Sequence, residues 1–317
     1  MCGIIGIAGI APVADRLVDG LKRMEYRGYD SAGIATVSQG RLDRRRAVGK
    51  LVNLADLLVA EPLAGKAGIG HTRWATHGAP SVANAHPHRA GRVAVVHNGI
   101  IENFRELREE LGGPWESETD TETIVRLCER FLADGLSPQN AAYATIDRLR
   151  GAYAVCFLFD DHDDLLVCAR AGSPLAVGLG DGEMYLGSDA LALADLTNRL
   201  VYLEEGDWAV ITRAGATIFD ENNAPAKRQM QRIQMDTAQV EKAGHKHFMS
   251  KEIAEQPVVL ADTINAYVDG NEFNFPAELP DFSGINRIVM VACGTAFYAC
   301  SVAKYWIERL ARIPVEL

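Results

Sequence analysis

Cys2 is the residue of this chain best suited to act as a catalytic group, and it is the second residue of the run MCGIIGIAGI. Because its side chain is small, we expect Met1 to be removed, which leaves a thiol and an α-amine on the same residue. Such an amine has a pKa of about 8 and can accept the thiol proton, as in enzymes with an amino-terminal threonine. The sequence therefore predicts that Cys2 supplies both nucleophile and base.

The alternative for Cys2 is a frayed, unimportant terminus. Isoleucines and glycines dominate residues 3–10, which is typical of a buried strand and favours a Cys2 held against a sheet. The same run is not expected to be an export signal, since no basic stretch precedes it and Pro12 ends it early.

Two further segments carry side chains suited to binding and catalysis. HTRWATHG (71–78) contains Arg73, whose guanidinium is suited to bidentate pairing with a carboxylate. HNGIIEN (97–103) places Asn98 and Gly99 at a strand end before a helix, where an amide NH₂ and a backbone N–H can form an oxyanion hole. Taken alone, each segment also fits a purely structural interpretation: Arg73 as a surface arginine, and Asn98-Gly99 as an ordinary turn.

Five histidines fall at positions 71, 77, 86, 88 and 97, so a metal site must be weighed. No carboxylate or cysteine stands near them at a recognised ligand spacing. We expect these histidines to order loops by hydrogen bonding or to line a pocket, with no metal. The glycines of VGLGDG precede no helix pattern, so no dinucleotide is expected, and no cofactor is predicted.

Composition and charge exclude several classes of protein. A chain of 317 residues with 48% hydrophobic content is long enough for about two domains. The net charge of −10 is spread without a basic block, which disfavours nucleic acid and anionic membranes as partners. No apolar run reaches the ~18 residues of a membrane helix, and we expect a cytoplasmic protein. The cluster at residues 44–46, three arginines, is expected to be a solvated strand edge.

The six cysteines lie at positions 2, 128, 156, 168, 293 and 300 and form no CxxC pair. This spacing indicates neither a zinc site nor a disulfide framework. The five cysteines other than Cys2 are expected to pack as small apolar residues.

Hydrophobic spacing predicts strands and helices that share one core. The expected helices span 13–25, 102–111 and 120–133, and the expected early strands span 32–37, 42–49, 66–73 and 92–97. Ser117 or Thr119 is expected to cap the helix at 120–133. Residues 151–219 are predicted to be mainly strand. Strands before and after a central set of helices predict an α+β layered sandwich.

The chain divides where its composition changes. We expect a first domain over 1–236, a polar linker over 237–245, and a different segment over 246–317. That segment shows a helix followed by a strand (288–292), a glycine turn and a second helix, the opening βα unit of a parallel sheet. One crossover cannot build a doubly wound domain, so 246–317 is expected to be the incomplete start of a larger one.

Several motifs together closely resemble the glutamine–fructose-6-phosphate amidotransferases, the glucosamine-6-phosphate synthase family. The resemblance runs over the whole chain and rests on MCGIIG, EYRGYDSAG (25–33), HTRWATHG, NAHPH (84–88), VVHNGIIEN (95–103), SETDTE (117–122), LRGAYA (149–154) and LEEGD (203–207). It implies a four-layer αββα N-terminal-nucleophile hydrolase sandwich, followed by a truncated α/β sugar-isomerase segment.

The resemblance also implies roles for individual residues. Cys2 would be the nucleophile, with the Asn98 side chain and the Gly99 amide as the oxyanion hole. Arg73 would bind the α-carboxylate of glutamine and Asp120 its α-ammonium. The remaining implied binding residues are Thr76 and His77 in the same loop, Trp74 as an aromatic gate to an ammonia tunnel, and Arg27 beside the nucleophile.

The activity implied by the resemblance has two halves. Glutamine is hydrolysed to glutamate and ammonia, and the ammonia converts fructose 6-phosphate into glucosamine 6-phosphate. We expect this chain to perform the first half and the full-length form to be a homodimer, with the acceptor-site residues beyond Leu317. CGTAF (293–297) departs from the family pattern, because Ala296 stands where a serine is common.

Two other interpretations remain open at this point. One is a different class II glutamine amidotransferase, such as the phosphoribosyl-pyrophosphate or asparagine-forming enzymes, although EYRGYDSAG and HKHFMSKEIAEQP (245–257) favour the aminosugar branch. The other is a non-catalytic, glutamine-binding fragment. The presence of Cys2, Asn98, Gly99 and Asp120 together favours catalysis.

Overall fold

The computed structural model of the chain describes residues 2–233, 244–270, 272–273 and 282–317. Most of the expected linker, residues 237–243, lies outside the described residues. The chain forms two compact units, Met1–Lys251 and Glu252–Leu317.

The first unit contains an eight-stranded antiparallel sheet with the order β14-β11-β9-β10-β1-β4-β2-β3. Its strands are β1 (Gly3–Ala8), β2 (Ser31–Ser38), β3 (Arg41–Val48), β4 (Ala67–Arg73), β9 (Ala176–Leu179), β10 (Met184–Gly187), β11 (Arg199–Tyr202) and β14 (Met230–Arg232).

A second antiparallel sheet in the same unit has the order β13-β12-β8-β7-β6-β5. Its strands are β5 (His88–Ala90), β6 (Val93–Ile101), β7 (Gly151–Phe159), β8 (Leu166–Ala171), β12 (Trp208–Thr212) and β13 (Gly215–Phe219).

Helices cover the outer face of each sheet. Those against the eight-stranded sheet are α1 (Ala14–Lys22) and α2 (Leu51–Ala60), and those against the six-stranded sheet are α3 (Phe104–Leu111), α4 (Thr121–Ala133) and α5 (Pro138–Ile146). Short 3₁₀ turns occur at Glu25–Arg27 and Ala190–Leu193.

Three apolar cores separate these four layers, and the period-two alternation of strands assigns residues to them. In β1, Ile4 and Ala8 pack in the core between the two sheets, whereas Ile5 and Ile7 pack against α1 and α2. The six-stranded sheet repeats this division, and its outer core includes Ile124 of α4. The expected α+β sandwich with an αββα order is therefore confirmed.

Local predictions near α4 and α2 were wrong in two respects. Asp120, rather than Ser117 or Thr119, occupies the N-cap position of α4, and its side chain makes no capping bond. Instead, the Ser117 hydroxyl donates to the Glu122 carboxylate at 2.7 Å. Sequence spacing also missed α2 and α5 altogether.

Arg44 and Arg46 correct the expectation of a solvated edge. β3 does lie at the sheet edge, but both side chains are half-buried and donate to backbone carbonyls, Arg44 to Pro87 at 3.0 Å and Arg46 to Ala85 at 2.8 Å. Buried carbonyl groups of a loop have no β-sheet partner, so they need hydrogen bonds from side chains such as these arginines. β3 therefore supports the segment 83–88, which carries two of the histidines, His86 and His88.

The second unit contains most of α6 (Phe248–Tyr267), a short antiparallel pair, and a helix between two parallel strands. The antiparallel pair is β15 (Val268–Asp269) and β16 (Glu272–Phe273). The parallel pair is β17 (Ile288–Val289) and β18 (Val315–Glu316), with α7 (Gly294–Leu310) between them. The strand is shorter than predicted, but the βα unit is present.

The six cysteines are free. Cys128, Cys156 and Cys168 are buried as expected, whereas Cys293 is exposed and Cys300 is half-buried, so packing was wrongly predicted for these two. Among the described residues, no helix has the length and apolar character needed to cross a bilayer.

Gly33 in β2 lies directly under the histidine-bearing segment. A Cβ at this position would lie 2.3 Å from the His86 carbonyl oxygen and 2.7 Å from the Arg45 carbonyl oxygen. Both neighbours are backbone atoms, so they cannot move aside as a flexible side chain does.

We predict that Gly33→Ala destabilises the protein by about 1–3 kcal/mol, the usual cost of overpacking, as measured by urea unfolding. Gly215→Ala is the matched control, because nothing lies within 4 Å of a Cβ at Gly215 in β13. Equal unfolding midpoints for the two variants would contradict this prediction, because they would show that the segment carrying His86 can shift to accommodate a Cβ without loss of stability.

Candidate active site

Cys2 faces the second sheet because of strand periodicity. It directly precedes β1 and has the same parity as Ile4 and Ala8, which lie in the core between the sheets. Its sulfur consequently lies at one end of this central layer rather than on the α1 side.

The register between β1 and β4 selects the neighbours of Cys2. Gly3 pairs with Thr72 in this antiparallel ladder, so one further step places Cys2 opposite Arg73. The Trp74 backbone N–H donates to the Cys2 sulfur over 3.2 Å. The pairing of two central strands thus brings together residues 72 positions apart.

Arg73 is almost fully buried, with 3% exposure. Its Nη2 donates to the carbonyl oxygens of His77 at 2.5 Å and Gly78 at 3.1 Å. Nη1 lies 3.6 Å from an Asp30 carboxylate oxygen and has no hydrogen-bond partner among the described residues. Nη2 therefore holds the loop, whereas Nη1 has N–H groups that remain able to donate a hydrogen bond.

The second sheet contributes Asn98 and Gly99 from β6. Asn98 has the parity of the central-layer residues in β6, and its Nδ2 donates to the Cys2 carbonyl oxygen at 3.3 Å. Gly99 has a φ of +119°, and a Cβ there would lie 2.0 Å from the Ala152 carbonyl oxygen. Only glycine fits this backbone position.

Asp120 stands at the start of α4 and is 3% exposed. Its Oδ2 accepts a hydrogen bond from the Ile101 N–H at 2.8 Å. A carboxylate is favoured at a helix amino terminus, and this backbone bond fixes its orientation.

One cleft, whose empty space, open mouth included, is about 260 Å³, is lined by Cys2, Arg73, Gly99 and Asp120. Asn98 contacts the Cys2 backbone but does not itself line this cleft. The cleft combines a thiol, a guanidinium and a carboxylate. Its lining residues are Cys2, Arg73, Trp74, Thr76, His77, His86, His97, Gly99, Thr119, Asp120 and Thr121.

Arg27 does not line the cleft. It donates to the Cys2 carbonyl oxygen at 3.3 Å and forms an ion pair with Asp189 at 2.5 Å. Gly28, the next residue, lies against the Trp74 ring, and a Cβ there would be 2.7 Å from that ring. Arg27 thus acts on the backbone of Cys2 rather than on a ligand in the cleft.

The loop after β4 forms the mouth of the cleft. Trp74 is 54% exposed, Thr76 is exposed, and His77 is half-buried. The His77 ring makes an edge contact with Phe104, with ring centroids 5.4 Å apart. These are the most accessible of the expected binding residues.

The Cys2 thiol is not activated by its pocket alone. Burial raises its pKa more than the hydrogen bond from the Trp74 amide lowers it. The thiol is therefore protonated at neutral pH, and its reaction as a nucleophile needs a base to take the proton.

Four histidines, at 71, 86, 88 and 97, are buried near the cleft. Burial lowers the pKa of His71 to about 3 and lowers those of the other three as well. They are neutral and hydrogen-bonded, for example His88 to the Thr119 hydroxyl and His97 to the Thr121 hydroxyl, both at 3.0 Å. The described residues contain no group of three or more metal-ligating side chains.

Sequence reasoning missed two acidic residues and one histidine contact. Asp30 accepts the Ala75 N–H at 2.5 Å and faces Arg73. Asp189 pairs with Arg27 from a position 162 residues away. Asp30 lies within EYRGYDSAG, whereas Asp189 carried no local signal. The contact of His71 with Asn98, at 3.0 Å, also joins distant positions.

Comparison with known proteins identifies similar chains. Residues 71–195 match a model described as a glutamine amidotransferase domain. Glutamine–fructose-6-phosphate aminotransferase (isomerizing) of Brucella suis is 57% identical over 321 residues, covering all of this chain and 53% of the relative. The same-named protein of Caulobacter vibrioides is 53% identical, with the same coverage of each. The chain thus spans about half the length of the curated relatives that it matches.

Among solved structures, the fold is similar to that of the glutamine phosphoribosylpyrophosphate amidotransferase from B. subtilis, with a TM-score of 0.58 and 24% identity. That match covers 74% of this chain and 50% of the other. A structure described as the allosteric regulatory enzyme of purine biosynthesis gives a TM-score of 0.59, with the same identity and coverage. These likenesses establish the layered fold.

The buried histidines predict acid lability. Their pKa values are lowered in the folded state, so below about pH 6.5 the unfolded chain binds protons that the folded chain does not. Stability is therefore present above that pH and is lost as pH falls. His71, whose pKa is lowered to about 3, costs the folded state about 1–2 kcal/mol between about pH 6.5 and pH 5.

This loss is measured by urea unfolding as a function of pH, with the interval between about pH 7 and pH 8 as an internal control, since imidazoles remain neutral there in both states. His88→Gln, which removes one buried imidazole, should reduce the slope by about 1.4 kcal/mol per pH unit. An unfolding free energy that stays constant down to about pH 5 would contradict the neutral cluster.

Proposed function

This chain belongs to the glutamine amidotransferases, in the branch of the glutamine–fructose-6-phosphate aminotransferases, and from this premise we propose that its cleft hydrolyses the side-chain amide of glutamine. The observation that carries the proposal is the convergence of Cys2, Arg73 and Asp120 on one small cleft, with Asn98 bonded to the Cys2 backbone.

Glutamine binding follows from charge. The α-carboxylate pairs with Nη1 of Arg73, which has no hydrogen-bond partner among the described residues. The α-ammonium pairs with the Asp120 carboxylate, whose Oδ2 is already held by the Ile101 N–H. Charge-assisted bonds at both ends of the amino acid fix its orientation and direct the side-chain amide toward Cys2.

The first half-reaction forms a thioester. The α-amine of Cys2, once Met1 is removed, takes the thiol proton, and the sulfur attacks the amide carbon. Negative charge develops on the amide oxygen, and the Asn98 NH₂ and the Gly99 N–H stabilise it. The protonated amine then donates its proton to the leaving nitrogen, so that the C–N bond breaks and ammonia departs.

The second half-reaction releases glutamate. The same amine removes a proton from water, and the resulting hydroxide attacks the γ-glutamyl thioester carbon. The oxyanion is stabilised as before, the C–S bond breaks, and the sulfur recovers its proton. Because the thiol pKa is raised, the thiol is neutral between turnovers and each cycle begins with the amine.

The remaining assignments extend the proposal beyond the hydrolysis step. Thr76 and His77 border the bound amino acid, and Trp74, at the mouth of the cleft, gates the path of ammonia. Residues 1–236 form the glutaminase domain, joined by the linker 237–245 to the start of an isomerase domain. In the longer enzyme, a cytoplasmic homodimer, the ammonia aminates fructose 6-phosphate. Support for these points comes from the family membership.

We predict that Cys2→Ala abolishes glutamine hydrolysis, measured as glutamate and ammonia release, without unfolding the chain. The nucleophile is lost, whereas a half-buried side chain ahead of β1 contributes little packing. Cys293→Ala is the matched control, since that cysteine is exposed in the second unit, and it should retain full activity. Unchanged turnover in Cys2→Ala would refute the proposed chemistry.

Asp120→Asn tests the ammonium contact. The amide oxygen of asparagine still accepts the Ile101 N–H, so the local fold is kept, but the ion pair is lost at a cost of about 2–5 kcal/mol. The KM for glutamine should rise by at least about 30-fold. Asp134→Asn, at the exposed carboxyl end of the same helix, is the control, and equal KM values in the two variants would remove Asp120 from the binding site.

A further inference from the structure

One buried polar contact joins the two sheets beside the cleft. His71 of β4 and Asn98 of β6 both point into the central layer, and the His71 Nε2 lies 3.0 Å from the Asn98 Oδ1. Both residues are buried. The His86 ring packs against that of His71, with ring centroids 4.1 Å apart, so the contact belongs to a buried polar group in which each member needs a partner.

The orientation of the Asn98 carboxamide decides what it can do. An asparagine side chain presents a donor NH₂ at one end and an acceptor oxygen at the other. Only the NH₂ end stabilises an oxyanion, and an inverted amide would place a second negative dipole there. In this structure Nδ2 faces Cys2, because Oδ1 faces His71.

The hydrogen on the His71 ring is what distinguishes the two ends of that amide. The ring is neutral and so carries one N–H. Its Nε2 lies 3.0 Å from the Asn98 Oδ1, which can only accept, and 3.2 Å from the His86 Nδ1, which accepts or donates according to the tautomer of that ring. The His97 carbonyl favours protonation of the ring, but Nδ1 has no hydrogen-bond partner among the described residues.

A hydrogen on Nδ1 would be a poorly satisfied buried donor, because the His97 carbonyl, which interacts with the ring, does not accept a hydrogen bond from Nδ1 in this structure. A hydrogen on Nε2 satisfies the Asn98 oxygen instead, and leaves only an unpaired lone pair on Nδ1. The surroundings of the ring thus favour the Nε2–H tautomer.

We propose that His71 is a positioning residue for the oxyanion hole: its Nε2–H holds the carboxamide oxygen of Asn98, which keeps the Asn98 NH₂ directed at the reacting carbonyl. The inference rests on the proposed glutaminase function. His71 touches no substrate in this scheme and acts only through Asn98.

Two substitutions separate hydrogen bonding from packing. His71→Phe keeps a ring of similar size but has no N–H, whereas His71→Gln keeps a donor. In the glutaminase assay, His71→Phe should lower kcat by about 10–100-fold, at or below the loss typical of a missing oxyanion donor, with little change in KM. His71→Gln should recover part of this loss. A kcat unaffected by His71→Phe would overturn the proposal.

A double-mutant cycle with Asn98→Ala tests whether His71 acts through Asn98. When the carboxamide is absent, His71→Phe should cause no further fall in kcat, because it has nothing left to orient. Additive losses would assign His71 a structural role and overturn the proposal. Urea unfolding of each variant shows whether the folded fraction is the same.

The ring tautomer provides a readout independent of activity. Imidazole ¹⁵N shifts of the wild-type chain should identify Nε2–H at His71, and an Nδ1–H tautomer would overturn the proposal even if every variant failed to fold. If the wild-type chain, with Met1 removed, did not hydrolyse glutamine, the proposed function would be wrong, while the tautomer would still decide whether His71 orients Asn98.

Discussion

The antiparallel register between β1 and β4 is the constraint on which the site depends. It places Cys2 opposite Arg73 and next to the Trp74 amide. A slip of one residue would turn the Cys2 side chain toward α1, because alternate residues of a strand face opposite sides. Gly3 helps to fix this register, since a Cβ there would lie 2.7 Å from the Met24 sulfur. The nucleophile is thus located by a central strand that is buried along its whole length.

The charged groups of the cleft are each held by backbone, and their other ends make only long contacts, Asp120 Oδ1 with the Thr121 hydroxyl at 3.5 Å and Arg73 Nη1 with Asp30 at 3.6 Å. Arg73 donates to two loop carbonyls, and Asp120 accepts from the Ile101 N–H. Burying a charge without a partner is costly, and these backbone bonds offset much of that cost before any ligand arrives. The site is consequently preorganised, so that a bound amino acid replaces few existing interactions. Histidines nearby remain neutral and add no competing charge.

Local patterns and the family resemblance predicted the layers and most of the residues that line the cleft, whereas contacts between distant segments were not predictable from them. Alternation and motif spacing identified β1, β6 and the start of α4, and the resemblance assigned Cys2 and Asp120. The half-buried state of Arg44 and Arg46 was missed because it depends on a loop that docks onto the sheet edge from about 40 residues away. Asp189 was missed for the same reason, and α2 and α5 were missed because their apolar residues do not follow one clear helical face.

Arg73 holds the loop through its hydrogen bonds to the His77 and Gly78 carbonyls, and it is also proposed to bind the ligand in the cleft. The guanidinium is planar and rigid, so Nη2, which holds the carbonyls of His77 and Gly78, cannot move independently of Nη1, the nitrogen proposed to bind the ligand. Ligand affinity and loop order are therefore two measures of one coupling free energy, and the coupling is reciprocal. In the proposed scheme, a substitution that loosens residues 74–78 weakens ligand binding even where it lies far from the ligand.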